Sequence, residues 1–306
     1  MRRQLIRSVT LSLLLLSLSP VALAHASGIY STQASLVMSS PSGDYIGLGR
    51  QYDYEFPSAW PAPFESWGTF GQVEIHLANF GFVDPSSYDF WNLTFGSPDR
   101  VRLTPGTYTG AVRNATRPLG TPGLDVNGEG RGCSQLTGDF TVLDASYGPY
   151  DYLERFHATF DQSCEGTMPA LHGEVTVVNP PAPTPLQLTV AADANGHTDR
   201  DTAFVQGSVT CTQATTVTIS GSVSEQTKKG TASGALVPVS VDCSSGAAAS
   251  WKTSARRATD VTFVAGPAQL SVTGSGQDVW YSQYRSWNGP IYATHSEGAT
   301  VQLQVG

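Results

Sequence analysis

Apolar residues in this chain recur at every second position over short runs, and almost nowhere with the spacing of a helix. In Gln72-Val73-Glu74-Ile75-His76-Leu77, Val73, Ile75 and Leu77 fall on one face while Glu74 and His76 take the other. In residues 156–164, Phe156, Ala158, Phe160 and Cys164 share a face, with His157, Thr159 and Asp161 opposite. A period of two is the pattern of a half-buried strand. Gly, Pro, Asn, Asp and Ser punctuate the runs at the intervals of antiparallel sandwiches. Strands are predicted near 34–39, 72–77, 88–95, 100–103, 107–113, 137–143, 156–164 and 172–178. The later part, richer in Val and Thr, predicts strands over 204–212, 215–223, 235–241, 261–264, 269–273 and 300–305. The fold class that follows is all-β.

Four prolines stand within residues 179–185, Asn179-Pro180-Pro181-Ala182-Pro183-Thr184-Pro185. Such a run is extended, cannot enter a sheet interior, and reads as a semi-rigid spacer. It divides the chain into a first sandwich at 25–178 and a second at 186–306, each long enough to bury its own core.

Ahead of them, residues 1–24 read as a secretory signal peptide. Arg2, Arg3 and Arg7 form a basic start, Leu13 to Leu16 an apolar run, and Ala22-Leu23-Ala24 a small-residue cleavage site, with Ala26 as the alternative. The apolar run falls well short of the roughly 20 residues that a membrane span needs. No cysteine adjoins the cleavage site and no apolar tail closes the chain, so release to the cell exterior or the periplasm is expected. The four cysteines, Cys133, Cys164, Cys211 and Cys243, suit that compartment as disulfides. Three pairings are open, and proximity favours Cys133 with Cys164 and Cys211 with Cys243.

The net charge of −8 includes three signal-peptide arginines, so the mature chain carries 14 basic and 25 acidic side chains, or −11. Residues 25–185 hold seven basic and 17 acidic groups, against seven and eight in 186–306. A strongly acidic first sandwich excludes nucleic acid and anionic membrane as partners, since both need a cationic face.

Several stretches of the first sandwich carry a resemblance. They are Gly43-Asp44-Tyr45-Ile46-Gly47, Leu103-Thr104-Pro105-Gly106-Thr107-Tyr108, Gly128-Glu129-Gly130-Arg131-Gly132-Cys133, Phe160-Asp161-Gln162-Ser163-Cys164-Glu165-Gly166 and Pro169-Ala170-Leu171-His172-Gly173. Together they resemble a β-sandwich domain of unknown function that recurs in exported bacterial proteins. The resemblance implies a jelly-roll-like architecture and the Cys133–Cys164 pairing, and no active site. The second sandwich is similar to bacterial immunoglobulin-like modules, through Val209-Thr210-Cys211, Thr218-Ile219-Ser220-Gly221 and Val239-Ser240-Val241-Asp242-Cys243.

Two aromatic clusters are the candidate ligand sites. Tyr52, Tyr54, Phe56, Trp60, Phe64 and Trp67 are threaded with Pro57, Pro61 and Pro63, which would bring rings onto a loop surface. Flat rings stack on sugars, and Asp53, Glu55 and Glu65 would accept hydroxyl hydrogen bonds. The competing reading, that Tyr54, Phe56 and Trp67 fill the core, has the larger weight because rings mostly serve burial. Trp280, Tyr281, Tyr284, Arg285, Trp287 and Tyr292 surround a predicted turn at Asn288-Gly289-Pro290. They form either a binding surface or a loop folded over a sandwich end. Tyr52, Trp60, Phe64, Trp67, Trp280, Tyr284, Arg285 and Trp287 are therefore the candidate ligand-binding residues.

Arg131 and Glu165 flank the proposed disulfide, but strand parity puts them on opposite faces, and structural roles are expected for both. Asp193-Ala194-Asn195-Gly196 with Asp199 and Asp201 has oxygen ligands at calcium-like spacing but lacks the terminal Glu of a helix-loop-helix site. Asn-Gly also signals a hairpin, and a turn is expected there. No metal and no cofactor are expected. There is no GxSxG, HExxH or phosphate-binding glycine loop. The expectation is a secreted, non-enzymatic binding or adhesion protein whose partner is extracellular polysaccharide or a cell-surface protein. A structural matrix component is the alternative, and a hydrolase with a dispersed site the third.

Overall fold

The computed structural model of the chain describes residues 30–56, 63–69, 71–80, 88–166, 169–284 and 289–306. Residues 1–24, expected to be a signal peptide, and Trp60, Arg285 and Trp287 lie outside the described residues. The protein is nearly all β, in two sheets with separate hydrophobic cores. Among the described residues no helix is long and apolar enough to cross a membrane.

The first sheet begins with β1 (Gln33–Ser39), β2 (Gln51–Phe56), β3 (Phe64–Thr69), β4 (Gln72–Phe80) and β5 (Tyr88–Gly96). It continues with β6 (Gly106–Arg113), β7 (Gly123–Gly128), β8 (Leu136–Tyr147), β9 (Leu153–Cys164) and β10 (Leu171–Val178). The strand order is β2-β1-β10-β9-β8-β6-β7-β5-β4-β3. Consecutive strands are mostly neighbours, so this is the order of a meander, not the interleaved order of a jelly roll. The two aromatic segments on either side of Pro57–Pro63 are strands β2 and β3, placed at the two ends of that order, where neighbouring prolines are tolerated.

The sheet folds over at β6 and β7, which share only two parallel pairs, Val112 with Gly123 and Arg113 with Leu124. Two layers result. Phe95 of β5 lies 5.4 Å from Phe140 and 5.2 Å from Phe156 on the facing layer, and Trp91 lies 4.9 Å from Tyr52. Where β6 departs, the backbone of Val126 on β7 has no strand beside it. The Gln162 carboxamide of β9 fills that place: its Oε1 accepts from Val126 N and its Nε2 donates to Val126 O, both at 2.7 Å. At the far end, Ser31 N donates to Phe64 O (2.9 Å), tying β3 to the chain just ahead of β1 and closing the layers around one core.

The motifs behind the family resemblance are turns. Glu129 and Gly130 both have positive φ, as do Glu165 and Gly166, the backbone of tight turns that glycine favours. Each glutamate then caps backbone: Glu129 accepts from Phe90 N (2.7 Å), and Glu165 from Ser134 N (2.7 Å) and Gln135 N (3.1 Å). Arg131 donates to Ile46 O (2.7 Å), anchoring the loop after β1. Cys133 is bonded to Cys164 and Cys211 to Cys243.

The second sheet contains β11 (Leu188–Ala192), β12 (Asn195–Thr198), β13 (Thr202–Cys211), β14 (Thr215–Thr227) and β15 (Gly230–Ala235). It is completed by β16 (Val239–Cys243), β17 (Ala249–Arg256), β18 (Gly266–Asp278) and β19 (Ile291–Val305), with the one-and-a-half-turn helix α1 (Val279–Tyr284) before β19. β13 pairs with β11 and β17, β14 with β18, and β18 with β19, all antiparallel, while β12 pairs parallel with β19. This is immunoglobulin-type pairing, in which the first strand switches from one sheet to the other. The disulfide departs from that type by joining β13 to β16.

Four expectations are corrected. Each sheet is mixed, because each holds one parallel pair. Residues 100–103 and 261–264 are not strands, although Leu103 and Phe263 are buried. Residues 235–241 are divided between two strands by Pro238. Asn195-Gly196 is no hairpin turn but the start of β12. A Cβ on Gly196 would stand 2.6 Å from Phe204 O, so glycine there serves close strand approach.

Candidate functional site

The sequence-predicted aromatic residues separate into three environments. Phe64 is fully buried in the first core, edge-on to Phe56 at 5.7 Å. Tyr52 is half-buried against Trp91 and donates to Gly47 O (3.1 Å). Neither presents a face to a ligand. Trp280 and Tyr284 sit on α1 and pack against the first sandwich: Tyr152 lies 5.6 Å from Trp280 and 5.2 Å from Tyr284. The Tyr284 hydroxyl accepts from Gly68 N (3.2 Å) and Leu153 N (3.0 Å). Trp280, Tyr281 and Tyr284 of the second cluster therefore form a joint between the sandwiches, while Tyr292 stays 55% exposed on β19. Trp67 lies on the outer face of its strand, opposite Phe64, and is only 9% exposed there.

That outward face of β7-β5-β4-β3 is the candidate site. Register places Tyr30, Glu65, His76, Asn92 and Asn127 in one rung across neighbouring strands. Strand neighbours stand about 4.8 Å apart, so these side chains form one row. The adjacent rung holds Trp67, Glu74, Thr94 and Asp125. Trp67 donates its indole N–H to Glu74 Oε2 (3.1 Å) and meets the His76 ring at 4.5 Å. Asn92 donates to Asn127 Oδ1 (3.2 Å), and Asn127 to Asp125 Oδ1 (3.2 Å), which faces Arg113 at 3.7 Å. This chain of donors all runs one way and leaves Asn92 Oδ1 buried without a hydrogen-bond partner. Such an orphaned acceptor is costly unless something else satisfies it.

Two exposed rings flank the row, Tyr30 (47% exposed) at one end and Phe90 (46%) beside Asn92. Phe90 was legible as an anomaly. In β5 the alternation buries Trp91, Leu93 and Phe95 and turns Phe90, Asn92 and Thr94 outward, so an aromatic residue falls on the polar side. Its significance, and that of Asn92 and Asn127, needed the cross-strand register, which local pattern does not supply.

Burial holds the His76 imidazole below its ordinary value near 6.5, against the opposing pull of Glu74 and Glu65. The hydrogen bond to Glu65 raises the Tyr30 hydroxyl. His76 thus favours the neutral form in the folded chain, whereas the unfolded chain takes up its proton around pH 6.5. Stability is therefore complete above that pH and falls as pH drops through 6.5 toward the folded value. Replacing His76 with Gln should flatten this part of the stability–pH curve, read by urea unfolding between pH 7.5 and 5. An unchanged slope would show that His76 does not cause it.

Among the described residues, the other histidines of the first sandwich, His157 and His172, pair with Glu174 (2.6 Å) and with Asp161 on the other layer's outward face. Among the described residues no group of three His, Cys, Asp or Glu side chains is arranged to hold a metal ion. Asp199 instead accepts from the backbone N–H of Asp201 and Thr202, and Asp201 pairs with Arg257. No protein-family model matches the chain, and no curated protein matches its sequence.

Proposed function

We propose that the chain is an exported, non-enzymatic binding protein whose first sandwich holds extracellular polysaccharide on the outward face of β7-β5-β4-β3. The observation that carries this reading is the orphaned Asn92 Oδ1, set in a row of donors and acceptors beside the exposed Phe90 ring. A sugar presents hydroxyls to such a row and a C–H face to such a ring. Glu65, Glu74 and Asp125 outnumber Arg113 and Arg117, which lies over Gly96 and Gly123 on the same face, and this favours neutral or amino-bearing sugars over anionic ones. The export signal, the two disulfides and the acidity of the first sandwich support action outside the cytoplasm.

Affinity electrophoresis of the mature chain through gels containing different polysaccharides tests the proposal. Retardation by one neutral glycan is expected, weakened about tenfold in Phe90→Ala and in Asn92→Ala, the size of one stacking or hydrogen-bonding contact. Binding unchanged by both substitutions would remove the site. A structural matrix role is the second reading, favoured by the burial of Phe64 and the docking of Trp280 and Tyr284. It gains if no glycan retards the protein. Release of reducing sugar during the assay would instead revive the hydrolase reading, with Glu65, His76 and Glu74 as its groups.

A further inference from the structure

The outward face of β14-β18-β19 in the second sandwich has an unusual composition. Register sets Thr218, Ser275 and Thr294 in one rung and Ser220, Thr273 and Ser296 in the next. The pattern continues in both directions, and none of the outward side chains on these three strands between Thr216 and Ser224, Gln269 and Gln277, or Tyr292 and Thr300 is charged. A soluble surface is ordinarily about a quarter or more Lys, Arg, Asp and Glu, so this is a departure that needs a reason. Hydroxyls stand about 4.8 Å apart across strands and about 6.8 Å apart along them. Thr273 Oγ1 and Ser296 Oγ are linked at 2.8 Å, and Gln269 donates to Thr300 Oγ1 (3.1 Å). Each hydroxyl in such a pair keeps further capacity to donate or accept.

One end of this face has an aromatic ring and a hollow. Tyr292 is 55% exposed, and it borders a depression of about 670 Å³ together with Thr216, Asp242, Ser275 and Gln277. At its edge Asp242 accepts from Thr216 Oγ1 (2.9 Å). An ionic ligand would meet only Asp242 here, and an apolar one only Tyr292 and Val279. A neutral polyhydroxylated chain would exchange its water for hydroxyls of the same kind and place one sugar against Tyr292.

We infer that this face is a second binding surface, for a neutral polysaccharide, independent of the row on the first sandwich. It shares with the proposed function only the class of ligand. Two surfaces on one chain would engage one polymer together and raise the apparent affinity above that of either.

The test is a pull-down of the full mature chain on insoluble glucan, xylan, mannan and galactan, repeated at low and high salt. Tyr292→Ala should weaken capture about tenfold, and Thr294→Lys similarly by placing a charge in the carpet. Both positions are exposed, so circular dichroism should be unchanged. Capture should not vary with salt, because screening acts only on charged pairs. Phe90→Ala should act independently, its fold-change multiplying with that of Tyr292→Ala. If Tyr292→Ala and Thr294→Lys bind as wild type while Phe90→Ala does not, this surface is refuted and the first stands. Loss in the second-sandwich variants alone would keep this surface and refute the first. No capture of any neutral glycan would overturn both.

Discussion

Replacing Gln162 with Leu should destabilise the first sandwich by about 2–6 kcal/mol, the largest effect expected of any single substitution outside the apolar core. The side chain is 1% exposed and lies over Val126, itself fully buried. Leucine fills nearly the same space, so packing changes little. What is lost is the pair of 2.7 Å bonds that satisfy the Val126 N–H and C=O. Each orphaned buried group costs about 1–3 kcal/mol, a large share of the roughly 5–15 kcal/mol by which domains are stable. Gln162→Glu keeps an acceptor for the N–H but sets a buried carboxylate against the Val126 C=O, and should cost at least as much as Leu at neutral pH and less at acid pH, where the protonated group regains a donor. Urea unfolding followed by tryptophan fluorescence, with disulfides intact, gives the comparison. A loss below about 1 kcal/mol for Gln162→Leu would mean that water reaches Val126 and that the carboxamide is replaceable.

The second large effect concerns the joint between the sandwiches. Trp280 and Tyr284 stack at 5.8 Å and meet Tyr152, Tyr281 meets Tyr150 at 4.9 Å, and Tyr284 holds two backbone N–H groups of the first sandwich. Ring pairs contribute about 0.5–1.5 kcal/mol each beyond their buried area, and each hydrogen bond about as much. The coupling is then about 3–5 kcal/mol, enough to make the two sandwiches melt together. Trp280→Ala combined with Tyr284→Ala should turn one calorimetric transition into two, with the less stable sandwich melting roughly 5–15 °C lower. A single unchanged transition in the double variant would show that the joint carries no coupling energy.

Much of the fold was legible because alternation is a local signal. β1, β5 and β10 were read to within one residue of their ends, and both cysteine pairs are the ones that proximity favoured. The misreadings have physical causes. Leu103 and Phe263 are buried from loops, so apolar runs around them resemble strands without having partners to pair with. Asn195-Gly196 carries a turn signal, yet its glycine is spent on close approach to β13. The site was less legible still. Aromatic density led to Phe64, which the core takes, and to Trp280 and Tyr284, which the joint takes. The row from Tyr30 to Asn127 draws one residue from each of several strands separated by up to about a hundred positions, and only sheet register assembles it.

The proline segment has a consequence for resistance to proteolysis. Exposed connections between domains are ordinarily where nicking begins, because a protease must draw several residues of free backbone into its cleft. Here the carbonyls of Pro180, Pro183 and Thr184 are held by Tyr152 Oη (2.7 Å), Tyr281 Oη (2.6 Å) and Gln213 Nε2 (2.6 Å). Immediately beyond, Leu186 N is held by Asp278 (2.8 Å). Both sandwiches contribute a tyrosine to this strapping, so the connection is presented to an attacking enzyme as bound backbone. Limited digestion of the folded protein should therefore leave the two halves joined, and the connection should become a cleavage point only once its straps are removed.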